Sequence, residues 1–532
     1  MYFCQVINLE EVRKTIVLLI FFNLMLLSFT SLAQVVEPIR IELPASIDAP
    51  AYNLEVLKEN GLLVFYESTE LTEEGKRKWF FSLLDTNLHE KWLQYVPLSD
   101  GLAHHSTHST QDQVIMLFVT PDAKKSSQPT YELLRFGIQN NHFVLFGGIL
   151  PDKATIKDFA VSGNKVLIAV SLPKYNSDLL LYDLENGSLS SIQHGIEGQS
   201  VIQRIASSTV SNHFVVATKR FDNNRFSEDV FQIINNNGTI EKTWTYTNEM
   251  YYLHALAILT DGDERMIITG SYDNKERRRN LVKDFSNQPE LTSQAIGVFF
   301  LRYEAGELQA QSYQDFESFS NIYKVLSTEE LIKTRQRQSR SRQTKQENAI
   351  AFQFFKPEVI KTDQQFIYSA EAFNPQYRLE TRMDYDFYGR LVPYTYNIFE
   401  GYRFFSALLA SFDENGKFLW SSDFELRDVI LPQLRSNVSI HTDSSMVAAV
   451  MVQNGLIHSK IIDNVGDQIG QTEQSRIEST FTSDRLLEEK YASINWWYDQ
   501  FYMATGYQRI SNNRLRTNNP RSVFYIQKLV FE

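Results

Sequence analysis

One hairpin pattern recurs along this chain, and it limits the possible folds more than any other feature. Seven stretches share an alternating apolar strand, a tight Asx-rich or Gly-containing turn and a second strand. They begin at Phe81 (FSLLDTNLHEKWLQYV), Tyr131 (YELLRFGIQNNHFVLF), Leu179 (LLLYDLENGSLSSI) and Val230 (VFQIINNNGTIEKTWTY). The others begin at Val298 (VFFLRYEAGELQAQSY), Ser406 (SALLASFDENGKFLWSS) and Ile457 (IHSKIIDNVGDQIG). Asn, Asp and Gly tolerate the positive φ that tight hairpin turns impose, so these pairs of runs read as β-hairpins. The turns fall near residues 86, 139, 186, 237, 305, 415 and 465, a period of about 50. Only the interval from 305 to 415 is out of step. It holds a polar insert (316–349) and a long aromatic loop (374–402), and removing both restores roughly one period.

One strand meander per period is the signature of a β-propeller with four-stranded antiparallel blades. The spacing therefore predicts an all-β chain with a single propeller over 34–532. It would have eight blades, or seven if one repeat is degenerate. A sandwich array or a solenoid suits the long, variable inter-strand loops less well. The last repeat (YASINWWYDQ, FYMATGYQRI, SVFYIQKLVFE) stops one strand short, while EPIRIELP (Glu37–Pro44) offers a spare one. Pairing the two would close the ring and remove two exposed sheet edges. Trp92, Trp244 and Trp420 each follow a hairpin turn, where a large apolar residue suits the interface between repeats.

The N-terminus predicts export. Arg13 and Lys14 precede the apolar run TIVLLIFFNLMLLSFT, and SLAQ supplies small residues at Ser31 and Ala33. This is the layout of a signal peptide (1–33) cleaved after Ala33. The run is shorter than the roughly 20 residues of a membrane-spanning helix, which argues against an anchor. The single cysteine, Cys4, precedes that run, so the exported chain would hold no disulfide and no cysteine metal ligand. A net charge of −12 argues against a nucleic-acid partner. The expected location is the periplasm, with the cell surface or the medium as alternatives.

In a four-stranded meander (strands A to D), the A–B and C–D turns lie on one face of the disc. The B–C loops and the links between blades lie on the other. The short Asx turns are all assigned to C–D, which leaves that face plain. The opposite face then gathers HHSTHS (His104–Ser109), RFDNNRFSED (Arg220–Asp229), YDNKERRRNLVKDFSNQPE (Tyr272–Glu290) and RISNNRLRTNNPRS (Arg509–Ser522). The polar insert and the aromatic loop join them there. Within the insert, Ser327 and Glu330 form a capping box that opens a short helix. The basic run after it cannot bury itself and is expected to be disordered until bound.

Two basic clusters on that face are candidate partner contacts: Arg277, Arg278 and Arg279, and Lys333, Arg335, Arg337, Arg340 and Arg342. They would suit an acidic protein or an anionic envelope polymer. The aromatic loop adds Tyr385, Tyr388, Tyr394, Tyr396 and Tyr402, whose rings could stack on a glycan beside Asp384, Asp386 and Glu400. So many aromatics would be sticky if exposed, so the loop is expected to fold over the disc on a small core of its own. His104, His105 and His108 lack a carboxylate or cysteine at metal-ligand spacing. SFDENGKFLW fails the sialidase Asp-box S-x-D-x-G-x-x-W, and no nucleophile-elbow, zincin, Walker or EF-hand motif occurs. Glu371, Asp363 and Asp499 are the carboxylates a propeller hydrolase could use, but nothing singles them out. No catalytic residue, cofactor or metal ligand is assigned.

AIAFQFFKPEVIKTDQQFIYSAEAF, YDFYGR and FEGYRFFSALLASFDENGKFLW (within Ala349–Trp420) resemble uncharacterised exported proteins of Bacteroidota-type bacteria. Those share an aromatic loop followed by a D-x-x-G-x-x-x-W hairpin. The resemblance covers mainly one blade, implies a periplasmic or surface protein, and carries over no catalytic residue. The expected function is a non-enzymatic propeller that binds a protein or envelope component through its loop-rich face. A polysaccharide-binding or glycan-cleaving propeller is the alternative.

Overall fold

The computed structural model describes residues 39–530, apart from 122–127, 209–211, 262–264, 276–294, 317–318, 320–352, 444–445 and 513–519. They form eight four-stranded antiparallel sheets, the blades of a β-propeller. Blades 1 to 7 span 52–98, 103–149, 155–192, 199–246, 251–315, 353–431 and 438–476. Blade 8 takes three strands from 484–530, and its outermost strand is Arg40–Pro44, paired with Arg521–Val530. The spare N-terminal strand thus closes the ring as its sequence suggests.

Each blade packs on the next through its own hydrophobic cluster, because the middle strands are apolar on both faces. Phe65 and Phe81 of blade 1 meet Phe118 and Phe136 of blade 2. Seven further clusters repeat this around the ring, ending with Trp497, Met503 and Phe524 of blade 8 against Leu62 and Val64 of blade 1. The tryptophans sit at these seams. Trp92 packs on Phe136 and Phe143, and Trp244 on Tyr303. Trp420 is buried against Val447 and Ile462 of blade 7, its indole N–H donating to Gln365 and to the Asn464 carbonyl.

All seven recurrent turns join strands C and D. Four share one construction: Asp85, Asn235, Asp413 and Asp463 each accept, on one side-chain oxygen, the backbone N–H groups two and four residues on. The third loop residue then takes positive φ: Leu88 (63°), Gly238 (80°), Gly416 (76°) and Gly466 (90°).

Four expectations change. HHSTHS is not a loop but most of the innermost strand of blade 2, Ala103–Ser109. RFDNNRFSED is two paired strands joined by Asn223 and Asn224, both at positive φ, which lets the chain reverse in two residues. Tyr272–Asn274 ends strand B of blade 5. The segment 374–402 is not a loop folded over the disc: it is paired strand over most of its length. The insert helix and the signal peptide lie outside the described residues. Among the described residues, no helix is long and apolar enough to cross a membrane.

Candidate functional site

Strands B (Phe366–Tyr385) and C (Leu391–Phe412) of blade 6 are far longer than their neighbours. The N-terminal part of strand B and the C-terminal part of strand C are blade. Phe366–Phe373 and Phe404–Phe412 are buried throughout, between blades 5 and 7. The strands then leave the disc as a two-stranded arm on the face that carries the B–C loops.

The exit is a bulge. Gln376 faces Gly401 and Tyr377 faces Phe399, so Glu400 is left without an opposite residue. Gly401 has φ 145°, and a Cβ there would lie 2.6 Å from the Leu431 carbonyl oxygen. Only glycine lets strand D pass this close while the arm turns outward. Tyr402 is half-buried at this base, against Phe373 and Phe399. Beyond it, Tyr377–Tyr385 pairs with Leu391–Phe399 in unbroken register, a ribbon of roughly 30 Å.

Directly opposed residues share a face of a ribbon, and the register sorts this arm cleanly. One face carries Tyr377, Leu379, Met383, Tyr385, Leu391, Pro393 and Phe399 with Thr381, Thr395 and Asn397, and no charge. The other carries Arg378, Glu380, Arg382 and Asp384 with Val392, Tyr394, Tyr396 and Ile398. The apolar face is open to solvent: Leu379 is 71% exposed, Tyr385 67%, and Phe387 at the tip 98%.

The charged face is organised. Arg382 donates to Glu380 at 2.5 Å, Arg378 reaches the same carboxylate at 3.3 Å, and the Tyr396 hydroxyl donates to Asp384 at 2.7 Å. The Arg382 bond holds Glu380 below the ordinary carboxylate range, and the Tyr396 bond does the same for Asp384. In return Asp384 pushes the Tyr396 phenol up. At the tip Asp386 accepts from the N–H groups of Tyr388 and Arg390 and pairs with the Arg390 guanidinium.

The structure therefore brings together Tyr385, Tyr388, Tyr394 and Tyr396 on one arm, and sets Tyr402 apart as its anchor. Arg277, Arg278, Arg279, Lys333, Arg335, Arg337, Arg340 and Arg342 lie outside the described residues; the strands flanking them end on the same face of the disc as the arm. Leu379, Met383, Leu391 and Phe399 were not singled out from sequence. For Leu379 and Met383 the signal is the strict alternation of YRLETRMDY.

The other candidates have structural work. His104 is wedged between Phe65 and Phe118, and burial pushes its imidazole down to about 4. Among the described residues, no group of three His, Cys, Asp or Glu could hold a metal ion. Glu371 is buried and accepts from Ser436, Asn437 and the Val438 N–H, which fixes the link between blades 6 and 7. Asp363 and Asp499 sit in A–B turns, on the face opposite the arm.

No protein-family model matches the chain, and no curated protein matches it. Among solved structures, the β-propeller domain of the trilobed protease from Pyrococcus furiosus is similar at 7% identity and a TM-score of 0.35, over 80% of this chain and 98% of that one. A dihydro-heme d1 dehydrogenase is similar at 12% identity and 0.41, over 91% and 78%. A fission-yeast WD40 domain is similar at 9% and 0.32, over 78% and 96%.

Proposed function

We propose that this protein is an exported, non-enzymatic binding propeller that engages a protein partner of the cell envelope through its arm-bearing face. The observation that carries this reading is the uncharged side of the arm. Its Tyr, Leu, Met and Phe side chains stand in solvent, although the same strands have a fully buried half. Contiguous exposed apolar surface of this kind marks an interaction site. A two-stranded ribbon is at best marginally stable alone in water, so a partner would also stabilise it. Envelope location rests on the signal-peptide pattern, and the basic clusters would add attraction to an acidic surface on the same partner.

The test is affinity capture from solubilised envelopes of the source cells, with the whole protein beside a variant in which 378–398 is replaced by an Asn-Gly turn. The variant should keep its unfolding midpoint, because no arm side chain belongs to the buried core clusters. Its capture of the partner should fall at least tenfold. Equal capture by both proteins would overturn the reading. Saturable binding of an envelope glycan, lost on Tyr394→Ala with Tyr396→Ala, would replace it with the glycan-binding alternative.

A further inference from the structure

The arm has an edge as well as two faces, and the edge says what it can pair with. At the tip the Asp386 N–H donates to the Arg390 carbonyl at 2.9 Å. Hydrogen-bonded and non-hydrogen-bonded pairs alternate along an antiparallel ladder. Counting back from the tip, Asp384, Arg382 and Glu380 spend their backbone groups on strand C. Tyr377, Leu379, Thr381, Met383 and Tyr385 therefore direct theirs away from it. Among the described residues no strand pairs with that edge, since strand A meets strand B only as far as Phe373. The edge of strand C is blunted: Pro393, opposite Met383, sits where its backbone faces outward and has no N–H to offer.

An exposed edge is usually protected by charges that repel a second strand. Here the charges invite one. Laid antiparallel on its own copy about Thr381, YRLETRMDY sets Arg378 against Asp384 and Glu380 against Arg382. The same register sets Leu379 against Met383, Tyr377 against Tyr385, and Thr381 against itself. Other centres do worse. One at Met383 opposes Glu380 to Asp386, and one at Leu379 leaves Arg382 and Asp384 facing the neutral Gln376 and Asn374.

We propose that the strand B edges of two copies of this chain pair antiparallel about a two-fold axis at Thr381, joining two arms into one four-stranded ribbon. The contact is isologous, as a two-fold requires, so it closes as a dimer and does not propagate. It shares with the proposed function the reading of the arm as a contact element, but stands on the edge of the strand, not on its apolar face. The joined ribbon would present two apolar faces side by side, a broader platform than one arm offers.

Sedimentation velocity of the whole protein over a concentration series should show a monomer giving way to a dimer. Glu380→Arg sets Arg against Arg382 of the second copy, twice in each dimer, and should weaken association about tenfold. Arg382→Glu should act alike, and the two together should restore the dimer. Thr381→Cys in a Cys4→Ser background should oxidise to a covalent dimer, because opposed residues of a hydrogen-bonded antiparallel pair lie roughly 5.5 Å apart, within disulfide reach. Thr395→Cys, one strand further from the axis, should not. In the dimer the amides of Leu379, Thr381 and Met383 should be protected from hydrogen exchange.

A monomer at every concentration would overturn the proposal. So would a dimer indifferent to Glu380→Arg, or equal cross-linking at position 395. A monomer with those amides already protected would overturn it too, by showing that another segment of the same chain occupies the edge. A dimer that captures no envelope partner would fail the proposed function alone, whereas a monomer that captures one would fail the dimer alone.

Discussion

The two halves of strands B and C in blade 6 are one continuous pair of chains, yet they obey different rules. Phe366–Phe373 reads FIYSAEAF and is buried at every position, because blades 5 and 7 cover both faces. From Tyr377 the same strand reads YRLETRMDY, alternates apolar with charged residues, and is almost wholly exposed. Aromatic content does not separate the halves; the company of neighbouring blades does. A Phe is core where a second sheet stands against it, and contact surface where none does. Phe404 and Phe399, five residues apart on strand C, put the contrast to its strongest test. Phe404→Ala empties a site packed by Phe373 and Phe424 and should cost about 3–5 kcal/mol in chemical denaturation. Phe399→Ala loses only ring contacts with Tyr377 and Tyr402 and should cost less than about 1 kcal/mol. Equal losses would mean that the arm is packed like a blade.

A second contrast uses one turn in two settings. Asp386-Phe-Tyr-Gly-Arg390 at the arm's tip has the same build as Asp463-Asn-Val-Gly-Asp467 between strands of blade 7. In each the Asp oxygen accepts two backbone N–H groups, and Gly389 (73°) and Gly466 (90°) take the left-handed position. A Cβ on Gly466 would lie 2.5 Å from the Trp420 Cβ, while one on Gly389 would meet nothing within 4 Å. Gly466→Ala should therefore cost about 2–4 kcal/mol, backbone strain plus overpacking at the seam between blades 6 and 7. Gly389→Ala should cost only the strain, about 1 kcal/mol, and should appear as faster hydrogen exchange in the arm with no change in the global midpoint. A lowered midpoint for Gly389→Ala would show that the arm folds as one unit with the ring.

That shared turn also shows what was legible in the sequence. Periodic Asx turns were enough for seven blades and the C–D assignment, since tight hairpins tolerate few residue types. The eighth blade and its closure came from the three strands of the last repeat and the spare EPIRIELP. The arm was written in the same code. D-F-Y-G-R matches D-E-N-G-K at 413–417, and charges at Arg378, Glu380, Arg382 and Asp384 mark a strand with one polar face. It read as a loop because Pro375, Gly389, Pro393 and Gly401 punctuate it. Three of these have structural duties: Gly389 makes the turn, Gly401 makes the exit, and Pro393 lies where strand C needs no partner. Exposure itself was not legible. Apolar residues are expected to find cover, and only three-dimensional placement shows that this set, among the described residues, stands largely in solvent. The histidines misled in the opposite direction, since three polar residues in a row of small ones gave no hint that His104 packs between two phenylalanine rings.

The third contrast is electrostatic and sets the arm's ion pairs against those that close the ring. At the closure Arg521 bridges Asp484 (2.5 Å) and Glu42 (3.1 Å), which ties the N-terminal strand to the last blade, with the Asp484 side chain out of solvent. The Arg521 bond holds Asp484 below its ordinary 3.8. Burial pushes Glu42 up, but Arg521, Thr480 and Arg40 outweigh it and hold the group below 4.5. Carboxyls depressed in the folded state bind fewer protons there than in the unfolded chain. Their stabilisation is therefore complete above those ordinary values and is lost as pH falls through the lower folded ones. Glu380 and Asp384 on the arm are depressed in the same direction, but they lie on the arm's surface, where such pairs are screened. Asp484→Asn should therefore lower stability at neutral pH by about 1–3 kcal/mol, by removing a charged hydrogen-bond acceptor from Arg521. It should also flatten the acid limb of the stability profile below pH about 4. Asp384→Asn should leave both the midpoint and the acid limb of the monomer where they were. If Asp384→Asn instead shifts the midpoint only at protein concentrations where the dimer forms, the arm's charges act between copies and not within one, which is where the two-fold register places them.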